Sequence, residues 1–120
     1  MSLNQVNLVE DAMSVFIGIC EYHIDMKACR SLKEKRQIVK SICERLGKNR
    51  NTSACEADHN DYWKSSVLIT SVFTGSPKSA EAAFEKARSV IESCGVEIIG
   101  ERKWILRPED FSEWLICPEE

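Results

Sequence analysis

The chain has 120 residues, of which 43% are hydrophobic and 29% are charged, and its formal net charge is −3. This length and composition indicate one globular domain with its own hydrophobic core, and they exclude an intrinsically disordered chain. No apolar run approaches the roughly 18 residues of a membrane-spanning helix, and the N-terminus lacks the pattern of a secretory signal, so we expect a cytoplasmic protein without a membrane partner.

Residues 14–24 are rich in β-branched and aromatic side chains and are predicted to form the first strand. Apolar residues occupy both of its alternating faces. We therefore expect this strand to lie in the centre of a sheet whose second face is also covered.

A helix is predicted to begin after Ser31, because Glu34 three positions later completes a capping box. Gly47 is the expected stop. The apolar residues that recur at 3.6-residue spacing between these ends are Leu32, Val39, Ile42, Cys43 and Leu46.

The second half of the chain predicts three further elements before its tail. Residues 51–59 indicate a polar edge strand, and residues 65–75 indicate a more apolar third strand. A second helix opens at Pro77 and ends at Gly95, and residues 96–106 supply a fourth strand.

The resulting order β-α-β-β-α-β predicts a ferredoxin-like α+β sandwich, with an antiparallel four-stranded sheet and both helices on one face. We place this domain at residues 13–103. Residues 1–12 are interpreted as an N-terminal extension or an added leader, and residues 104–120 as a C-terminal extension with a short helix from Pro108.

The six cysteines contain no Cys-x-x-Cys pair, and four of them fall on predicted helix stripes or strands: Cys20, Cys43, Cys55 and Cys94. In the absence of a secretion signal we expect reduced, structural cysteines rather than disulfides or metal ligands. The sequence predicts no cofactor and no metal ion.

Positive charge is concentrated in one segment of this acidic chain. Residues 27–50 contain nine lysines and arginines and two acidic residues, a local charge of +7, whereas the rest of the chain carries −10. A localised basic face is typical of a polyanion-binding surface, and an ordinary solvated helix face is the alternative. Three of the candidate nucleic-acid-binding cations, Lys33, Arg36 and Lys40, share the exposed side of the first helix. The other two are Arg30 and Arg45.

Lys35 is the exception on this helix, because its spacing places it on the apolar side with Val39 and Ile42. A buried ammonium group is costly unless it reaches water along its stem or pairs with a carboxylate. We expect a structural ion pair. The carboxylates that could supply it are Glu21, Asp25, Asp58 and Asp61.

The predicted topology brings the end of the first strand, the start of the first helix and the hairpin between the second and third strands to one end of the sheet. The polar residues gathered there include His23, His59, Asp58 and Asp61. An enzyme or ligand site would use one histidine as general base, one aspartate to orient it, and Lys35 as an electrostatic stabiliser. Solvated turns are the alternative, and no catalytic or metal-binding spacing supports a site.

The chain resembles the YlxP-like family of small bacterial proteins of uncharacterised function, in the segments EYHI, RSLKEKRQIVKSICERL and ACEADHNDYWKSSVLITSV. The residues that match the family's motif positions are His23, Ser31 to Arg36, Asp58, His59, Asp61 and Trp63. The resemblance implies a ferredoxin-like fold and genes near those of translation-initiation and ribosome-maturation factors. It implies no catalytic role.

Two functions follow as hypotheses. The first is a non-enzymatic RNA- or ribosome-associated binding protein that uses the basic side of the first helix. The alternative is a small enzyme, or a ligand- or metal-binding site, built from the histidine and aspartate residues at one end of the sheet. With either function, an apolar second face of the sheet predicts a homo-oligomer, most simply a two-fold dimer. The C-terminal extension is the other candidate cover for that face.

Overall fold

A computed structural model describes residues 14–58 and 63–110 of the chain. The elements in chain order are β1 (Phe16–Asp25), α1 (Leu32–Leu46), β2 (Thr52–Asp58), β3 (Ser65–Thr74), α2 (Pro77–Ser93) and β4 (Glu97–Leu106). The strands form one antiparallel sheet in the order β2-β3-β1-β4. The predicted βαββαβ arrangement of a ferredoxin-like α+β fold is therefore confirmed. Neither of these helices is long and apolar enough to cross a membrane.

Both helices pack on one face of the sheet, and successive strand residues alternate between this face and the opposite one. In β1 the helix-facing residues Cys20, Tyr22 and Ile24 are buried, and they share one hydrophobic core with Ile42 of α1 and Phe84 of α2. The Tyr22 hydroxyl donates a 2.9 Å hydrogen bond to the Phe84 carbonyl. This bond ties the central strand to α2.

We call the opposite side of the sheet the open face. It consists of the odd-numbered residues 17–25 of β1 and 65–73 of β3, with Ser53 and Cys55 of β2 and with Glu97, Ile99, Arg102, Trp104 and Leu106 of β4. No described helix or strand covers it, and its β1 residues are only half-buried. The central position of β1 and the edge position of β2 are confirmed, and the predicted cover of the second face stays a prediction.

The capping residues predicted at the ends of both helices are found there in the structure. Oγ of Ser31 accepts a 3.1 Å hydrogen bond from the Glu34 N–H, and Oε1 of Glu34 accepts a 2.7 Å bond from the Arg30 N–H. Gly47 follows α1 with φ of −67°, an ordinary right-handed conformation. Gly95 follows α2 with φ of +85°, where glycine is strongly favoured.

β4 pairs with β1 and runs to Leu106, where the fourth strand was predicted to end. A bulge interrupts the pairing between His23 and Ile24. Residues 108–110 then form one short helical turn, in which the Asp110 N–H donates a 2.9 Å hydrogen bond to the Arg107 carbonyl. The rest of the predicted C-terminal helix and residues 1–12 lie outside the described residues.

We expect Gly18→Ala to lower the free energy of unfolding by about 1–3 kcal/mol, because it overpacks the core. A Cβ atom at this position would lie 2.8 Å from Cζ of Phe84 and 3.0 Å from Cγ1 of Val72. Urea denaturation measures the change. Gly47→Ala is the control, since Gly47 has a negative φ and its nearest atom lies 3.4 Å away. Equal stability of the two variants would contradict the close packing of β1 against α2.

Candidate functional site

Lys35 is fully buried between α1 and the sheet, on the apolar side of the helix where its spacing predicted it. Its Nζ atom lies 2.6 Å from Oε2 of Glu56 on β2. The same carboxylate oxygen accepts a 2.7 Å hydrogen bond from Oγ of Ser66 on β3, which is also buried. The predicted structural ion pair is present, and three elements meet at one carboxylate.

The carboxylate that pairs with the buried lysine was not among those that the sequence suggested. Asp25 instead accepts a 2.8 Å hydrogen bond from the Lys27 backbone N–H, which lowers the pKa of Asp25 below its usual value. Glu21 lies on the open face, on the opposite side of the sheet from the lysine. The side chain of Asp58 and the whole of Asp61 lie outside the described residues.

Burial of Lys35 determines which side of α1 faces solvent. Residues 27–50 contain nine lysines and arginines, and the eight other than Lys35 are all exposed. We call Lys33, Arg36 and Lys40 the basic face, because they lie on the solvent side of α1, opposite its buried stripe. With a rise of 1.5 Å per residue, Lys33 and Lys40 are about 10 Å apart along the helix axis.

Lys33 and Lys40 have no acidic partner among the described residues, unlike many cations elsewhere in the fold. Within residues 14–58 and 63–110, neither lysine forms an ion pair. By contrast, Arg88 and Lys103 pair with glutamates on the helix side of the sheet, and Arg102 pairs with Glu21 on the open face. The charge of Lys33 and Lys40 is therefore available to an external anion.

The two flanking arginines lie at different distances from the basic face. Arg30 is exposed just before α1 begins. Arg45 is also exposed, but its Nη1 atom donates a 3.1 Å hydrogen bond to Sγ of Cys94, in a groove of about 280 Å³ beside Ile38 and Ser41. Arg45 is thus directed toward the end of α2 and lies at the margin of the surface.

Glu21, His23 and Arg102 form a polar cluster on the open face. Oε1 of Glu21 accepts a 2.8 Å hydrogen bond from Nε of Arg102 and lies 2.9 Å from Nε2 of His23. The hydrogen bond from Arg102, followed by that from His23, lowers the pKa of Glu21. A groove of about 460 Å³ adjoins the cluster and is also lined by Val67 and Ile99. Arg102 was not among the predicted site residues, since only the pairing of β4 with β1 brings it beside Glu21.

Two of the candidate catalytic side chains, His23 and Lys35, lie on opposite sides of the sheet. His23 lies on the open face, whereas Lys35 lies beneath α1, so the sheet separates the two side chains. His59, Asp61 and the side chain of Asp58 lie outside the described residues. In the part of the chain that the structure describes, no cluster of three or more metal-ligating side chains occurs.

The five cysteines in the described residues are free thiols. Burial raises the pKa of Cys20 and Cys29, and it raises that of Cys43 to about 11. A raised pKa disfavours the reactive thiolate, which supports the structural role predicted for these three residues.

A family model described as "Protein of unknown function (DUF503)" matches residues 17–102. No curated protein matches the chain. Among solved structures, the chain is similar to the de novo designed protein Foldit4, with a TM-score of 0.47 and 11% identity over 75% of this chain and 96% of that one. It is also similar to a C-terminal segment of the alpha subunit of aIF2 from Pyrococcus abyssi, with a TM-score of 0.44 and 13% identity over 78% and 50% of the two chains.

A third similar structure is SnoaB, a cofactor-independent oxygenase from Streptomyces nogalater. Its TM-score is 0.42, with 7% identity over 88% of this chain and 98% of that chain. TM-scores and identities this low carry no functional argument.

We expect Lys35→Met to lower the free energy of unfolding by about 3 kcal/mol, because it leaves the Glu56 carboxylate without its cation. The double variant Lys35→Met/Glu56→Met should recover most of this loss, since a packed apolar pair avoids the desolvation of two charges. Urea denaturation of both single variants and the double variant gives their coupling energy.

Lys33→Met is the matched control for this pair, because the same substitution is made at an exposed position of the same helix. It should change the free energy of unfolding by no more than about 0.5 kcal/mol. Strictly additive effects at Lys35 and Glu56 would show that the two side chains do not stabilise each other.

Proposed function

The chain belongs to the DUF503 family, whose function is unknown, and we propose that it is a non-enzymatic RNA-binding protein that contacts the phosphate backbone through the basic face of α1. One observation carries the proposal. A segment with a local charge of +7 buries a single cation, Lys35, and exposes its other eight, while Lys33 and Lys40 form no ion pair with any described residue.

The acidic character of the whole chain does not oppose this proposal. At physiological ionic strength the Debye length is about 8 Å, so exposed charges further away than this are largely screened. A phosphate at α1 therefore responds mainly to the cations of the basic face rather than to the net charge of −3. The separation of about 10 Å between Lys33 and Lys40 lets one helix face contact more than one phosphate.

The proposed contacts are to backbone and shape rather than to base sequence. Base recognition in single-stranded RNA relies on exposed aromatic side chains that stack on bases. The exposed aromatic residues of the described chain, Phe73 and Trp104, lie on the open face and not beside α1. The resemblance to the YlxP-like family, with genes near those of ribosome-maturation factors, makes ribosomal RNA the target that we propose.

A second candidate function is a ligand site in the groove beside Glu21, His23 and Arg102. The observation that favours it is the Glu21–His23 contact of 2.9 Å, in which a carboxylate orients an imidazole beside a concave surface. Of the histidine and aspartate group that the sequence suggested, this arrangement contains His23. It lies on the opposite side of the sheet from α1.

We expect the double variant Lys33→Gln/Lys40→Gln to bind RNA more weakly and with a reduced salt dependence. Each phosphate contact to a single strand contributes about 0.7 to the slope of log K against log salt concentration, so the loss of two contacts should make the slope shallower by about 1.4. Fluorescence anisotropy with a labelled single-stranded RNA oligonucleotide, over a series of salt concentrations, measures both quantities.

The matched control is Lys78→Gln/Lys86→Gln, which removes the same charge from two exposed lysines of α2. This control should retain the slope of the unmodified chain. Equal slopes for all three proteins, or no binding by the unmodified chain at low salt, would exclude α1 as an RNA contact. Sedimentation with purified ribosomal subunits then tests structured ribosomal RNA as the target, and salt-sensitive co-migration lost in Lys33→Gln/Lys40→Gln is the expected result.

A further inference from the structure

We propose that the open face is the interface of a two-fold homodimer, in which the two sheets pack face to face and the two α1 helices lie on opposite outer surfaces. The described residues contain three large, strongly exposed hydrophobic side chains, and all three lie on this face. Phe73 is 58% exposed, Ile99 is 61% exposed and Trp104 is 39% exposed. Such a concentration on one surface marks an interaction site.

The strand register shows that Phe73 and Trp104 belong to one continuous patch, whereas Ile99 lies toward the other end of the sheet, near His23. Ile17 lies between Phe73 on β3 and Leu106 on β4, so one row of apolar residues crosses three strands. In the next row Ile19 lies beside Trp104. Residues that are opposite each other on neighbouring strands have adjacent side chains, so the two rows form one apolar patch at this end of the sheet.

The charges of the open face favour a second copy of the chain over a strongly charged partner. Glu21 is held by Arg102 and His23, so the polar cluster beside the apolar rows is already neutralised within one chain. Two such clusters can therefore meet without placing unpaired like charges against each other. The carboxylate of Asp25, at the far end of β1, is likewise 3.3 Å from Nζ of Lys27.

The area of the face is sufficient for a stable dimer. Three strands about 33 Å long and the shorter β2, about 23 Å long, lie about 4.8 Å apart and give a footprint of roughly 600 Å² per chain. Two copies would then bury about 1,200 Å² in total, which is the lower end of the range for specific protein interfaces. A closed two-fold arrangement is also the commonest symmetry of soluble oligomers.

This dimer extends the proposed function. Because both helices pack on the face opposite the interface, the basic faces of the two chains remain exposed and point away from each other. The dimer thus presents two RNA-contacting surfaces, and one long RNA can engage both with an avidity that a single surface lacks. The bivalency rests on the proposed function, whereas the dimer itself does not.

Sedimentation velocity of the full chain, from dilute solution to its highest soluble concentration, tests the interface. We expect a reversible dimer, and we expect Phe73→Asp and Trp104→Asp each to weaken it by about 100-fold or more, since each places a charge in the apolar patch. Ser89→Asp, at an exposed position of α2, is the control and should remain dimeric. Circular dichroism identifies any variant that fails to fold, and the other Asp variant then decides the result.

Two results would overturn the proposal. A monomer at every concentration would mean that the open face has another occupant, such as residues 111–120 of the same chain. A dimer that both folded Asp variants retain would place the contact elsewhere. RNA binding can be tested separately from dimerisation. Lys33→Gln/Lys40→Gln should remain dimeric. Monomeric Phe73→Asp should keep its affinity for a short RNA while losing the avidity for a long one.

Discussion

A lysine side chain without access to solvent must keep a counter-charge, and this requirement organises the structure around Lys35. Its ammonium group lies 2.6 Å from Glu56 on the edge strand, and the same oxygen is hydrogen-bonded to Ser66 on the neighbouring strand. The apolar contacts of α1 are non-directional and tolerate small rotations of the helix. The ion pair does not tolerate such rotations, because separating its partners would leave two charges uncompensated inside the fold. The pair therefore fixes the orientation of α1 and, with it, the outward direction of Lys33 and Lys40.

The one-sided packing of the helices gives the molecule two surfaces of different chemistry. The outer side of α1 is basic, and its lysines lack acidic partners among the described residues. The open face carries apolar rows and an internally neutralised polar cluster. These surfaces lie on opposite sides of the domain, so a polyanion on one does not obstruct a second chain on the other. The same arrangement separates His23 from Lys35 and removes the basis for a single site containing both.

Features that depend on neighbouring residues could be predicted from the sequence, and features that depend on strand register could not. The Ser31 cap, the end of α2 at Gly95 and the burial of Lys35 all follow from local spacing, because helix periodicity and capping act within a few residues. Glu56 and Arg102 become partners only when β2 and β4 are aligned with the strands beside them, and Arg102 is 81 residues from Glu21. Apolar residues on both faces of β1 correctly indicated a central strand. That pattern carried no information about what covers the second face.

The decisive observation is where RNA contacts the folded chain. Amide chemical shifts of the full chain should be recorded during titration with the single-stranded RNA oligonucleotide. RNA contact through the basic face predicts the largest changes on the solvent side of α1, at Lys33, Arg36 and Lys40, with the groove residues His23 and Ile99 unchanged. Changes centred on that groove, with α1 unaffected, would contradict it and would place the function of the protein on the open face.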